Sequence, residues 1–310
     1  MILVKPEWAS TRERLEELFL ASFARPIQPG YLDWRYADNT HGDLFFSIET
    51  SPPDVVASYS LFPVALVVDA QTYATAMSMT TMTHPGWRGK GLFPKLAGEL
   101  YAHASSKDLG AVWGFPNTSS HAQFIGKLGW KDIYEIPTMT LDLGKADPRL
   151  SGSDSVSTDD SFALEYPDAP RDGLIRVNRT TPYLRWRYAR NPVNAYRNFV
   201  LASEGRVSSY VVTKSFGGGL DLVDIQIAKP EEAAILLSHV AAAARDQRLT
   251  SLHCWAPTHH WVHGALERLG FQNTAPITYF AARELVVSAA PPDWRDNRRW
   301  YYQMGDSDVY

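Results

Sequence analysis

Cysteine is almost missing from this chain: Cys254 is the only one among 310 residues. No intrachain disulfide can form, and a structural zinc site built on cysteines is excluded; no metal is expected. Long apolar runs are missing too. No uninterrupted segment approaches the ~20 residues that span a bilayer, so no membrane partner is expected. The opening stretch Met1-Ile2-Leu3-Val4-Lys5-Pro6-Glu7 lacks the basic segment and apolar run of a secretory signal, and a cytoplasmic protein is the expectation. Basic charge is not in excess: 30 Lys and Arg stand against 34 Asp and Glu, a formal charge of -4. That argues against broad electrostatic binding to nucleic acid, while leaving room for a local basic pocket. The remaining composition, 45% hydrophobic and 21% charged, is that of an ordinary globular protein. The length suits one large domain or two ordinary ones.

What the chain does have is an internal repeat. Tyr31-Leu32-Asp33-Trp34-Arg35-Tyr36-Ala37-Asp38-Asn39 matches Tyr183-Leu184-Arg185-Trp186-Arg187-Tyr188-Ala189-Arg190-Asn191 at seven of nine positions, with an offset of 183 - 31 = 152. Trp113-Gly114-Phe115-Pro116 resembles Cys254-Trp255-Ala256-Pro257, and Leu128-Gly129-Trp130 resembles Leu269-Gly270-Phe271; both share the offset 257 - 116 = 141. The landmarks keep their order. They divide the chain into a first module, 1–145, a polar turn-rich linker, 146–159, a second module, 160–287, and an aromatic tail, 288–310.

Periodicity sketches the first module. Trp8, Leu15, Leu18, Phe19 and Phe23 share one face of a helix over 7–23. A short helix holds Tyr31 to Tyr36. Segments 45–48, 55–68 and 73–83 are rich in the β-branched and aromatic residues that strands favour. Leu92, Leu96 and Leu100 recur at four-residue spacing, and Pro94 is tolerated only in the first turn, which places the helix start near Gly91. A strand at 111–115, a helix at 119–128 and a strand at 133–143 complete the module. The second module repeats this order less clearly.

Between the third strand and the leucine-spaced helix lies Met82-Thr83-His84-Pro85-Gly86-Trp87-Arg88-Gly89-Lys90-Gly91-Leu92. Glycines at 89 and 91 let the backbone bend and approach a ligand closely. The first amides of the helix have no intrahelical partners and bind an anion readily. Arg88 and Lys90 add positive charge. Together these parts make a pyrophosphate cradle. A Walker phosphate loop is excluded, because no Gly-Lys-Ser/Thr stands at the required spacing.

The pattern Arg88-x-x-Gly91 after a strand, with Pro116-Asn117 after the next strand and Phe124-Ile125-Gly126-Lys127-Leu128-Gly129-Trp130 beyond it, resembles the coenzyme A motifs of the GNAT (GCN5-related N-acetyltransferase) superfamily. Phe93 departs from it, standing where Gly or Ala is usual. The resemblance implies an α+β fold of two tandem GNAT-like modules, each a mixed, mostly antiparallel sheet flanked by helices. It implies an N-acyltransferase using acetyl-CoA or another acyl-CoA. It assigns the cofactor to Met82, Thr83, Arg88, Gly89, Lys90, Gly91, Leu92, Phe93, Asn117 and Phe124. In the second module the matching loop is Lys229-Pro230-Glu231-Glu232, which has lost both glycines and gained two carboxylates. One working cofactor site per chain is expected.

Acyl transfer to an amine needs a base, a donor for the oxyanion and a proton for the departing thiolate. The family often supplies the last from a tyrosine, at the position of Ile125 here. His84, His121, Tyr134 and Glu135 are the nearest titratable residues in sequence; His84 is the candidate catalytic group, with a loop-shaping role as its alternative. Trp34 and Arg35 either pack the modules or line the acceptor pocket, where an aromatic face and a guanidinium suit a sugar and a phosphate. Asp306 and Asp308 read as a solvated terminus, or as a lure for a cationic amine. The tandem layout and the paired motifs resemble amino-sugar N-acyltransferases of bacterial polysaccharide pathways, which implies a small-molecule amine acceptor, a nucleotide-linked amino sugar first. Another small amine, an aminoacyl acceptor, or a non-catalytic acyl-CoA sensor are the alternatives.

Overall fold

A computed structural model describes residues 2–3, 7–145 and 156–310. Most of the expected linker, 146–155, lies outside the described residues. In chain order the elements are β1 (Ile2–Leu3), α1 (Trp8–Phe23), a π-helical turn (Asp33–Ala37), β2 (Phe45–Ser51), β3 (Asp54–Val68), β4 (Gln71–Thr83), α2 (Leu92–Ser105), β5 (Ala111–Gly114), α3 (His121–Lys127) and β6 (Lys131–Asp142). There follow β7 (Ser157–Thr158), β8 (Arg176–Val177), α4 (Thr181–Leu184), a second π-helical turn (Arg185–Ala189), β9 (Arg197–Ser203), β10 (Arg206–Phe216) and β11 (Gly219–Gln226). The last are α5 (Pro230–Asp246), β12 (Ser251–Cys254), α6 (Trp261–Arg268) and β13 (Gln272–Glu284).

These residues form two compact units that are not contiguous in sequence. Unit 1 takes Met1–Tyr134, Asn191–Val193 and Tyr279–Arg295; unit 2 takes Glu135–Arg190, Asn194–Thr278 and Asp296–Tyr310. β6 therefore begins in unit 1 and ends in unit 2, and β13 does the reverse. The sequence motifs that suggest sequential modules carry no trace of this exchange, because a strand pairs through its backbone whichever unit it serves.

In unit 1 the antiparallel strands β1, β2, β3 and β4 lie in order, and β5 pairs with β4 in parallel. The end of β13 closes the far side of β5, antiparallel, with Ala281 opposite Gly114. A parallel pair needs a crossover, and α2 provides it. Gly91 caps α2 with a left-handed backbone (φ 73°), so Pro94 falls in the first turn, where its missing N–H costs nothing. Leu96, Ala97, Leu100 and Ala104 on α2 bury against Tyr59, Leu61, Ala76 and Val112 of the sheet. A polar chain runs through this core. Trp130 Nε1 donates to Tyr101 Oη (2.8 Å), which meets Tyr59 Oη (2.8 Å), which donates to Ser78 Oγ (2.8 Å). Burial pushes the Tyr101 phenol up to about 12, so these groups stay neutral.

Unit 2 repeats the plan. β11 and β12 pair in parallel across α5; β10 and β9 extend β11 antiparallel, and β6 lies beside β12. Its core gathers Leu236, Leu237, Val240 and Ala241 of α5 against Leu220, Leu222, Leu252 and Cys254. The tail departs from the sequence expectation. Asp306 is buried, not solvated: Arg179 donates to its Oδ1 (2.6 Å) and to Asp224 Oδ2 (2.6 Å). A terminus is solvated only when nothing holds it, and here a buried guanidinium does.

His260 caps α6, its Nδ1 accepting from the Val262 amide (3.3 Å). An acceptor nitrogen must be unprotonated. Burial, and then the Arg176 charge, hold its pKa down to about 4. A folded-state pKa below the ordinary 6.5 means the unfolded chain binds the proton first. Stability contributed by neutral His260 is full above about pH 6.5 and falls as pH drops towards 4, by on the order of 2–3 kcal/mol at most. Urea unfolding at pH 7.5 and pH 5 should show this loss, and His260→Gln should flatten the dependence while lowering stability modestly at pH 7.5.

Candidate functional site

The parallel pairing of β4 and β5 is short. It runs through Thr75↔Ala111, Ala76↔Val112 and Met77↔Trp113 and then stops. β4 continues to Thr83, so its backbone past Met77 has no partner on the β5 side. At the same place β4 is irregular against β3. Ser60 pairs with Met79 and Ser58 with Met82, leaving Thr80 and Thr81 as two residues opposite one. This is a β-bulge, which re-aims backbone groups at a strand edge. Thr80 takes φ +50°, a genuine outlier for a β-branched residue. The backbone here is held out of the ladder by its surroundings. Tyr36 Oη meets Ser60 Oγ (2.8 Å), and Ser60 Oγ donates to Met79 C=O (2.7 Å). Amides that leave a ladder beside an open edge are available to a carbonyl or an oxyanion.

From Thr83 the chain enters the glycine loop. Gly89 and Gly91 have φ +76° and +73°, and a Cβ on either would meet nothing within 4 Å. The loop thus stands open at the N-terminus of a 14-residue helix, with unpaired amides and the positive end of the helix dipole facing out. These features fit a pyrophosphate. Arg88 is turned back: it donates to Ser22 C=O (3.0 Å) and Thr83 C=O (3.3 Å), fastening the loop to the end of α1. Lys90 Nζ stands 4.1 Å from the Trp87 ring centroid, an exposed cation at the rim.

The other residues assigned by resemblance take varied places. Met82 is buried and Thr83 half-buried at the end of β4; Leu92 and Phe93 open α2. Phe93 fills the gap between Tyr59 (5.6 Å) and Phe124 (5.4 Å), which is how α2 accommodates an aromatic where a small residue is usual. Phe124 is a core residue against Trp130 (4.6 Å). Asn117 is exposed and caps the turn into α3, its Oδ1 accepting from the amides of Ser119 and Ser120, both at 3.0 Å. His84 is exposed, and its Nδ1 accepts from the Gly86 amide (3.2 Å), a loop-shaping contact. Trp34 and Arg35 are both buried, with the guanidinium over Trp34 (5.2 Å) and Phe62 (4.8 Å).

A pairing that sequence could not show is His121 with Asp132. His121 Nε2 lies 2.6 Å from Asp132 Oδ1, and its ring stacks on Tyr279 at 4.1 Å and 8°. Tyr279 reaches this place only because the end of β13 belongs to unit 1, 158 residues on from His121 (279 - 121).

At the corresponding place in unit 2, the pairing of β11 with β12 ends at Leu222↔Cys254, and β11 carries one extra residue, Val223, against β10. The helix that follows starts with Pro230 and carries Glu231 and Glu232 in its first turn. Ser209 Oγ donates to Glu232 Oε2. The first turn of α5 thus carries two carboxylates and no preceding glycine, and Glu232 is turned to the hydroxyls of β10. Among the described residues no group of His, Cys, Asp or Glu is placed to hold a metal ion, and no helix is long and apolar enough to cross a membrane.

Comparison with known proteins agrees with this geometry. The family model described as Acetyltransferase (GNAT) domain matches residues 10–133. A probable N-acyltransferase from Enterococcus faecalis is 13% identical, with TM-score 0.66 over 93% of this chain and 73% of that one. A GCN5-related N-acetyltransferase from Anabaena variabilis is 10% identical, with TM-score 0.65 over 90% and 71%. A tandem GNAT protein from the clavulanic acid biosynthesis pathway is 17% identical, with TM-score 0.53 over 92% and 98%. At such identities the likeness is one of fold. No curated protein matches the sequence. Residues 10–133 match the GNAT acetyltransferase domain, and over most of its length the chain shares its fold with a tandem GNAT protein.

Proposed function

We propose that this N-acyltransferase moves an acyl group, acetyl in the simplest case, from one coenzyme A thioester per chain to a small-molecule amine. The observation that carries the reading is the conjunction in unit 1 of an early end to β4–β5 pairing, a bulge at Thr80–Thr81 and an open Gly89–Gly91 loop at the start of α2. The loop amides of α2 suit the diphosphate, and the free edge of β4 suits an extended amide-bearing arm. The donor supplies the activated acyl carbon. The bulged backbone offers amide donors to the negative charge that develops on its oxygen. Asn117 holds the β5–α3 turn beside that edge, and His84 shapes the loop. The acceptor is proposed as a nucleotide-linked amino sugar. The tandem layout and the two Trp-Arg-Tyr motifs support that choice.

Calorimetric titration with coenzyme A should give one site, since α5 opens on Pro230, Glu231 and Glu232 and has no glycine before it. Two equivalent sites would contradict the asymmetry. Gly91→Glu brings a carboxylate and a strained backbone to the loop, and affinity should drop more than tenfold, which is about 1.4 kcal/mol. Glu232→Gly should leave coenzyme A affinity unchanged. Thiol release from acetyl-CoA across a panel of amines, led by nucleotide-linked amino sugars, tests the reaction itself. Tight coenzyme A binding with no amine-dependent release would mark a sensor instead.

A further inference from the structure

The nine-residue motif occurs once in each unit, except that Asn191, the last residue of the second copy, belongs to unit 1, and the two copies fold alike. Each contains a π-helical turn, Asp33–Ala37 and Arg185–Ala189. The leading tyrosine packs on the tryptophan at 5.7 Å and 53° in one copy and at 5.5 Å and 47° in the other. The motif's second tyrosine reaches the irregular part of the neighbouring sheet in both: Tyr36 Oη meets Ser60 Oγ beside the β4 bulge, and Tyr188 Oη donates to Asp224 Oδ2 on β11. The two arginines between them, Arg35 and Arg187, are each 2% exposed.

Their partners differ. Arg187 is fully engaged. Nε donates to Gly305 C=O (3.3 Å), Nη1 to Tyr196 Oη (3.3 Å), and Nη2 to Ser307 C=O (3.1 Å) and to a Tyr310 oxygen. Apart from Tyr196 Oη, those oxygens belong to the last residues of the chain, whose Tyr301–Gly305 stretch lies along β11 past the end of its pairing with β12. Gln303 Oε1 accepts the Ile225 N–H, Tyr301 Oη donates to Ile225 C=O (3.0 Å), and a Cβ on Gly305 would come within 2.8 Å of Val223 O. Unit 2 therefore shows the place between its motif arginine and its free strand edge filled by a row of oxygens. In unit 1, Arg35 is sandwiched by Trp34 and Phe62, its Nε is buried without a hydrogen-bond partner, and no described carboxylate pairs with it. A buried guanidinium without a counter-charge keeps its desolvation cost uncompensated, and its planar fork is built to take two oxygens at once.

We infer that Arg35 anchors an oxyanion of the acceptor, a phosphate or a carboxylate, at the position in unit 1 that matches the Ser307 and Tyr310 oxygens beside Arg187. That position lies beyond the strand edge that Tyr301–Gly305 follow in unit 2 and the donor's arm follows in unit 1. The inference rests on the acyltransferase reading only for the presence of an acceptor; the oxyanion site exists whether or not transfer follows. A phosphate source means a nucleotide-linked amine, and a carboxylate source means an aminoacyl amine.

The test pairs each charged acceptor with its uncharged counterpart: a nucleoside diphosphate amino sugar with the free amino sugar, and an amino acid with its amide. Acetyl transfer is followed for the wild type, Arg35→Lys and Arg35→Met. The KM for the charged member of one pair should rise at least tenfold in both variants, with the uncharged member, kcat and coenzyme A affinity nearly unchanged. The pair that responds identifies the source. If no amine is turned over, uridine diphosphate and an N-acetylated dipeptide are titrated calorimetrically against the same proteins. Binding by the wild type that Arg35→Met weakens tenfold supports the site. Equal binding, or none, overturns it. A charged-to-uncharged ratio that stays at the wild-type value also overturns it, whatever happens to melting temperature, and leaves Arg35 a packing residue. Arg35→Lys keeps length and charge, so the comparison survives if the methionine variant folds poorly.

Discussion

Everything at the candidate site depends on one backbone event: β4 and β5 stop pairing after Met77↔Trp113. Parallel neighbours normally satisfy each other's amides along their whole length, and unsatisfied buried backbone groups are costly. Here the two strands part while β4 still has six residues to run, Ser78 to Thr83. The parting exposes an edge inside a unit rather than at its rim. The Trp130–Tyr101–Tyr59–Ser78 chain fixes the first residue beyond the split. The bulge at Thr80–Thr81 then turns the edge, and the glycine loop delivers the chain to the start of α2. Ligand edge, bulge and anion cradle thus follow one another within 14 residues, Ser78 to Gly91 (91 - 78 + 1).

Unit 2 shows what the same plan becomes without the cradle. Its strands part at the matching point, Leu222↔Cys254, and the exposed edge has to be satisfied somehow. Protein groups do it. Gln303 and Tyr301 take the Ile225 amide and carbonyl, while Ser209 ties the Ala228 amide, just before α5, to Glu232. The buried Arg179–Asp224–Asp306 cluster locks the segment in place. Burial raises the Asp306 pKa and the Arg179 charge opposes that rise, so the carboxylate depends on its partner. Removing either member of such a cluster is typically worth 3–5 kcal/mol. Loss of the glycines and gain of an internal occupant are two aspects of one change: an edge that no longer receives a ligand must be closed from within.

The legible parts of the sequence were those written in local chemistry. Four-residue leucine spacing with Pro94 in the first turn placed the start of α2 near Gly91, because a helix start is set by a few adjacent side chains. The β-branched runs placed β3 and β4 for the same reason. The nine-residue repeat pointed to two like units. What stayed hidden was set by distant partners. Nothing near Asp306 in sequence announces Arg179, 127 residues earlier (306 - 179). Nothing near His121 announces Tyr279. The exchange of β6 and β13 between units leaves no side-chain signature at all. Phe124 matched a motif by position and Phe93 departed from it, but nothing adjacent to either in sequence announces the rings they pack on, Trp130 and Tyr59.

The same logic separates the two arginines that sequence made equivalent. Arg35 and Arg187 sit in one motif, one backbone shape and one degree of burial, so neither propensity nor packing distinguishes them. The difference lies in the row of oxygens that one of them holds. A guanidinium buried to 2% cannot regain in water what it has lost there, and it cannot lose its charge. Arg187 recovers that cost through the carbonyls of the terminal segment. For Arg35 the faces of Trp34 and Phe62 recover part of it, since a desolvated cation over an aromatic ring gains about 2 kcal/mol. Among the described residues its buried Nε has no hydrogen-bond partner and no carboxylate pairs with it. A fold that has kept this arrangement in the unit with the open loop, and filled it in the unit with the closed one, has tied the occupancy of the arginine to the occupancy of the strand edge beside it.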